Sequence, residues 1–255
     1  MSKKKHVGIS SITWIAIIIV LSFSMKNVFW GSSSNQSEVQ AASTTNKRIE
    51  QKKSVTAKEA LRLGYAEAKK QMKEEPLLIS LTSTDDTSVP QERTDGSDGT
   101  RDAWNLEFGS KKGNVFIYIK IDQGMAITKK VNKNDKNLLV KGQYAVSSIQ
   151  IDSSDAVKQA IKILGMKPGD PAIADDWIKG YHFTINGYST DPSSSKTRLL
   201  LRVMGISPNS PNREHSSLRM SAFFDVQTGK LISATEMTGY DKSGNSLWRN
   251  VKLKY

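Results

Sequence analysis

The sequence predicts an α+β protein of two tandem modules, each one helix packed on an antiparallel four-stranded sheet, preceded by a transmembrane helix. Three observations carry this expectation. Runs with period-two alternation of apolar and polar residues follow one another between turn residues, most clearly from Trp104 to Val131. One amphipathic helical stretch followed by four strand-like runs occurs twice along the chain. An uncharged apolar run lies close behind three lysines at the start. The links between successive strands are too short for parallel crossovers, so the sheets are expected to be antiparallel.

The 255 residues leave room for two modest domains once the N-terminal segment is set aside. A hydrophobic content of 37% against 24% charged residues is compatible with folded cores joined by long loops. There is no cysteine, which excludes disulfides, thiolate zinc sites, cysteine nucleophiles and a lipid-modified cysteine. A formal net charge of +12 implies attraction to anionic surfaces such as phospholipid headgroups or wall polymers.

Residues 1–30 read as a membrane anchor or signal segment. Lys3, Lys4 and Lys5 precede an uncharged run from Val7 to Met25 that includes Trp14, Ile17, Ile18, Ile19, Val20 and Leu21. As a helix rising ~1.5 Å per residue the run would cover ~28 Å, close to the hydrocarbon thickness of a bilayer. Three lysines before it against Lys26 after it direct the N-terminus inward and the bulk of the chain outward, with Trp30 suited to the interface. Besides a retained anchor, a cleaved signal peptide and a buried soluble helix stay open as readings. Small residues at Ser22 and Ser24, and at Val39 and Ala41, also offer cleavage points, in which case the protein is secreted. Residues 31–53 are dominated by Ser, Asn, Gln, Thr and Lys and are read as a stalk.

The first module, residues 54–131, opens with a capping box at Thr56 and Glu59. Ala57, Ala60, Leu61, Gly64, Ala68 and Met72 then recur at helical spacing until Pro76. Leu77–Thr82 reads as a strand, residues 84–100 as a long polar loop, and Trp104–Val131 as a three-strand meander turned at 109–113 and at Asp122–Gly124. A basic linker follows at 132–142. In the second module, residues 143–255, an extended lead-in from Tyr144 to Ile151 precedes N-cap candidates at Asp152–Ser154. An apolar stripe of Ala156, Val157, Ala160, Ile161 and Leu164 ends near Gly165. Strands are expected at Tyr181–Ile185, Arg198–Ile206, Leu218–Val226 and Lys230–Met237. Loops at 187–196 and 207–217 separate them, and a last strand-like run is expected from Leu247.

Asp225-Val-Gln-Thr-Gly229-Lys-Leu-Ile, with the Ala-rich helix upstream of it, resembles the PepSY domain, in which a strand ends in an Asp-x-x-Thr-Gly turn and resumes with an apolar residue. Trp104-Asn-Leu-Glu-Phe108 and Ile119-Lys-Ile-Asp-Gln-Gly124 resemble a looser first copy with a shortened turn, and Ile151-Asp-Ser-Ser-Asp-Ala-Val157 resembles the start of the second helix. The resemblance covers Val55 to Met237 and singles out Trp104, Phe108, Gly124, Asp225, Thr228 and Gly229 as structural motif residues. It implies a small helix-on-sheet module, outside bacterial cells or at their membranes, that binds or restrains peptidases and carries no catalytic residues.

Chemistry-bearing residues are sparse. Outside the N-terminal flank the histidines are His182, within a strand, and His215, within a loop, neither near a nucleophile motif. Oxygen-bearing residues gather at Asp95-Gly-Ser-Asp98-Gly99 and at Asp241, Ser243 and Asn245, without calcium-loop spacing or a closing Glu, and read as solvated turns. Asp170, Asp175 and Asp176 read as surface charges. Trp104 begins an apolar face with Leu106 and Phe108 and is assigned to a core. The lysines of the chain are spread among acids with no nucleic-acid motif, and the Lys-rich span from Lys111 to Lys141 reads as a solvated face. The expected function is therefore a membrane-tethered, extracytoplasmic binding module for a protein or peptide partner, with no enzymatic activity, metal or cofactor and no nucleic-acid partner. The alternative is a wall-associated protein holding anionic polymer or lipid by charge.

Overall fold

Residues 53–84, 94–112, 114–133, 142–170, 179–189, 197–211 and 218–253 are described by the structure, a computed structural model. In chain order the elements are α1 (Ala57–Gln71), β1 (Leu77–Thr84), β2 (Ala103–Gly109), β3 (Val115–Asp122), β4 (Met125–Lys133), β5 (Tyr144–Ala145), α2 (Ser153–Leu164), β6 (His182–Ser189), β7 (Thr197–Ile206), β8 (Arg219–Asp225), β9 (Leu231–Tyr240) and β10 (Ser246–Asn250), with a short 3-10 turn at Val146–Ser148.

All the strands join one antiparallel sheet in the order β10-β9-β8-β7-β6-β1-β2-β3-β4, with the short β5 pairing the start of β1. This corrects the expectation of two modules that each cover their own four-stranded sheet. Helix-then-four-strands does recur along the chain, but the two meanders meet edge to edge, with Leu81 opposite Ile185 and Thr82 opposite Thr184. Left apart, β1 and β6 would each present an unpaired row of backbone donors and acceptors. Pairing them covers the facing part of both edges at once, and β5 takes the start of β1.

The core is continuous across this junction. Ala57, Ala60 and Leu61 of α1, Ala156, Val157 and Ala160 of α2, and sheet residues from Ile119 in β3 to Phe224 in β8 belong to one buried cluster. Trp104 of the first meander stacks on Phe183 of the second, with ring centroids 5.9 Å apart. Both helices lie on one face of the sheet. Among the described residues no helix covers the other face, which carries Asn105, Glu107, Tyr118, Thr184, Arg202 and Phe223.

The helix ends fall at the expected caps, but the capping box of α1 is half formed, because the Glu59 carboxylate accepts from Arg62 and not from the Thr56 N–H. The Thr56 hydroxyl accepts from Glu59 N at the start of α1, Asp152 caps α2, and Gly165 closes α2 in the left-handed region at φ 65°. Among the described residues no helix is long and apolar enough to cross a membrane. The transmembrane helix expected at Val7–Met25, with Trp14, Ile17, Ile18, Ile19, Val20 and Leu21, lies outside the described residues, as do Trp30 and the stalk through residue 52.

Candidate functional site

Among the described residues, three places collect the polar side chains and open backbone that could bind or react: the junction of the two meanders, the Asp225–Gly229 hairpin, and the outer strands of the sheet.

At the junction the two helix N-termini meet. Ala57 N donates to Ser153 Oγ at 2.8 Å and Lys58 N to Asp152 Oδ1 at 3.0 Å, while the Ser153 hydroxyl donates to Gly99 O at 2.6 Å. Asp152 therefore places one carboxylate at the positive ends of two helices. The 94–101 loop fits against this point because Gly99, at φ 85°, has no side chain: a Cβ there would lie 2.3 Å from Ser154 N. Gly180 repeats the device at φ 73°, where a Cβ would lie 2.4 Å from Asp95 O. Arg101, buried between these segments, donates to Thr94 O and Lys179 O. Burial lowers its guanidinium to about 10.

Beside Arg101, Ser83 and His182 are both buried. Ser83 Oγ lies 3.2 Å from His182 Nδ1 and accepts from Phe183 N at 2.9 Å, so the hydroxyl fastens β1 to β6. Burial, then the Arg101 charge, lowers the imidazole to about 4. The pair is enclosed and serves the seam.

In the hairpin, Asp225 Oδ1 accepts from Gln227 N, Thr228 N and the Thr228 hydroxyl, and Oδ2 accepts from Arg198. Burial alone would raise this carboxyl, but the hydrogen bonds from Thr228 and Arg198 outweigh it and hold it below the usual range. Gly229 sits at φ 69°, and its carbonyl accepts from Gln159 of α2. Gly124, at φ 81°, and Gln123, at φ 49°, make the β3–β4 turn, while Trp104 and Phe108 are fully buried, Trp104 donating to Val55 O at 3.1 Å. These residues shape turns and core. The structure does not bring the two motif groups, Trp104–Gly124 and Asp225–Gly229, into one pocket.

Asp95 and Asp98 accept from backbone N–H groups two residues on, and Asp241 accepts from those of Ser243, two residues on, and Asn245, four residues on, so their oxygens complete turns. Among the described residues no group of three or more His, Cys, Asp or Glu could hold a metal ion. His215, Asp175 and Asp176 lie outside the described residues, as do most of the 84–100, 132–142, 187–196 and 207–217 segments.

The outer strands differ. About the β1–β6 seam the order β1-β2-β3-β4 mirrors β6-β7-β8-β9. At β9 the outer edge is taken by β10, which returns through a turn at 241–245 and pairs antiparallel, Arg249 opposite Glu236. At β4, among the described residues, no strand pairs the corresponding edge. Met125 and Ile127 are exposed along it at 44% and 36%, followed by exposed Lys129 and Lys130. Lys129 falls at a register shift, since Thr128 faces Ile119 and Lys130 faces Tyr118. Beside this edge, on the face without helices, a cavity of about 340 Å³ is lined by Ile79, Glu107, Phe116, Tyr118, Lys130 and Asn132. Sequence patterning located β4 but could not show that its outer side has no neighbour.

No protein-family model matches the chain, and no curated protein matches it. A crystal structure of a "putative lipoprotein" from Clostridium difficile 630 is similar to it with a TM-score of 0.43 and 12% sequence identity, over 73% of this chain and 96% of that one.

Proposed function

We propose that the chain is a non-enzymatic binding module, tethered at the extracytoplasmic side of a membrane by its N-terminal apolar segment, that takes an extended stretch of a protein partner as an added strand on β4. The observation that carries this reading is the β4 edge with its adjoining cavity. Backbone pairing supplies affinity that any extended peptide could share, and a side-chain cavity at the edge supplies selection. The register shift and lysines along β4 are features that deter indiscriminate edge pairing. They favour a partner segment with apolar residues for Met125, Ile127 and the cavity, and acidic residues for Lys129 and Lys130. Restraint of a peptidase, as the PepSY resemblance implies, is one form such strand capture takes.

Selection of displayed peptides on the full chain tests this. Enriched peptides should be extended, apolar and acidic, should slow hydrogen exchange of the β4 amides, should lose binding to the Ile127→Pro variant, and should stay bound at high salt. Peptides that bind the variant equally well, or that wash off with salt and leave β4 exchange unchanged, would replace strand capture with plain charge attraction.

A further inference from the structure

The other end of the sheet carries a second surface. Tyr240, Leu247 and Trp248 are 46%, 47% and 42% exposed, within a few register positions of one another on β9 and β10. Single exposed apolar residues are ordinary, but three large ones grouped at one corner are not. Two cations lie beside them. The Arg219 guanidinium lies over the Trp248 ring, 5.8 Å from its centroid, and Lys242 is exposed in the turn that follows Tyr240, against the single acid Asp241 of that turn. A Trp, a Tyr and a Leu beside basic side chains form the combination that settles at the boundary between acyl chains and phosphate headgroups.

We propose that the β9–β10 corner docks on the anionic headgroup layer of the membrane that tethers the chain. Leu247 and Trp248 enter the boundary region, and Arg219 and Lys242 meet lipid phosphates. The inference rests on the tethered reading, and it leaves β4, at the opposite end of the strand order, clear of the corner that meets lipid.

Because the chain has no cysteine, one introduced thiol takes a single environment-sensitive label. The full chain labelled at Ser246→Cys is reconstituted with vesicles of phosphatidylcholine alone and with added phosphatidylglycerol; Lys112→Cys in the β2–β3 turn is the control. Flotation with either vesicle reports the tether, and a blue shift of the Ser246 label that needs phosphatidylglycerol, absent from the control, reports the corner. Adding Leu247→Ser and Trp248→Ser, both at exposed positions, should abolish the shift and leave flotation unchanged. Flotation without a shift overturns the corner while sparing the tether. A shift that follows protein concentration instead of lipid charge assigns the corner to a second copy of the chain and equally overturns the proposal. A chain that floats with neither vesicle removes the tether, and with it the proposal.

Discussion

Ser83 Oγ of β1 and His182 Nδ1 of β6 lie 3.2 Å apart at the seam where the two meanders become one sheet. The imidazole is held at about 4 against an ordinary 6.5, so the folded chain keeps it neutral where the unfolded chain would protonate it. Between those two values the unfolded state binds the extra proton, and stability falls as pH falls. This one group should cost about 2 kcal/mol between pH 7 and pH 5. Denaturant melts at the two pH values check it: His182→Asn, which does not titrate, should show a much flatter dependence, and an unchanged slope would remove His182 as the cause.

The seam also sets the unit of folding. Fragments 54–131 and 143–255 expressed separately should each lack a cooperative melt, because β1 and β6 would have unpaired edges and Trp104 would lose Phe183. The intact chain should unfold in one transition. Two resolved transitions, or a folded fragment, would mean that each meander carries a sufficient core of its own.

Much of the local structure is legible in the sequence, and the reason for what is not is physical. Thr56 with Glu59, Asp152 and Gly165 announce the helix ends because caps act on residues a few positions away. Alternation places the strands because side-chain direction repeats every two residues. Nothing local marks Leu81 as the partner of Ile185, and the tight contact of Gly99 with Ser154 spans more than fifty residues of chain. Each meander alone has the pattern of a complete helix-covered sheet, which is why two modules are expected and one sheet is found. The β4 edge was hidden for the same reason: openness of an edge is a property of the assembled strand order.

Two glycines in the left-handed region separate backbone strain from collision. At Gly229 the nearest atoms to a new Cβ belong to Ile151, at 3.8 Å, so Gly229→Ala should cost about 1 kcal/mol from conformation alone. At Gly99 the Cβ would meet backbone of α2 at 2.3 Å, and Gly99→Ala should cost at least about 2 kcal/mol. Parallel thermal melts rank them. Equal costs would mean that the 94–101 loop moves aside without penalty.

Glu236 fixes the outermost strand. Its buried carboxylate accepts from the Ser207 hydroxyl, from Asn209 Nδ2 at 3.0 Å and from Arg249 Nη2 at 2.8 Å, so β10 and the 207–210 turn are fastened to β9 by one group. Burial pulls this carboxyl up, but the hydrogen bonds from Ser207, Arg249 and Asn209 outweigh it, and the folded value lies below the usual 4.5. A depressed carboxylate contributes stability that is present above the unfolded value and is lost as pH falls through the folded one. Arg249→Ala removes the charged donor and leaves two neutral ones, so at neutral pH the loss should be about 1–3 kcal/mol. The acid limb of the stability curve should also flatten below pH 4.5. Hydrogen exchange localises the effect: β10 amides and those near Ser207 should exchange faster in the variant while β1–β6 amides hold their protection. A loss spread evenly over the sheet would show that Arg249 supports the global core and does not act as a latch for β10.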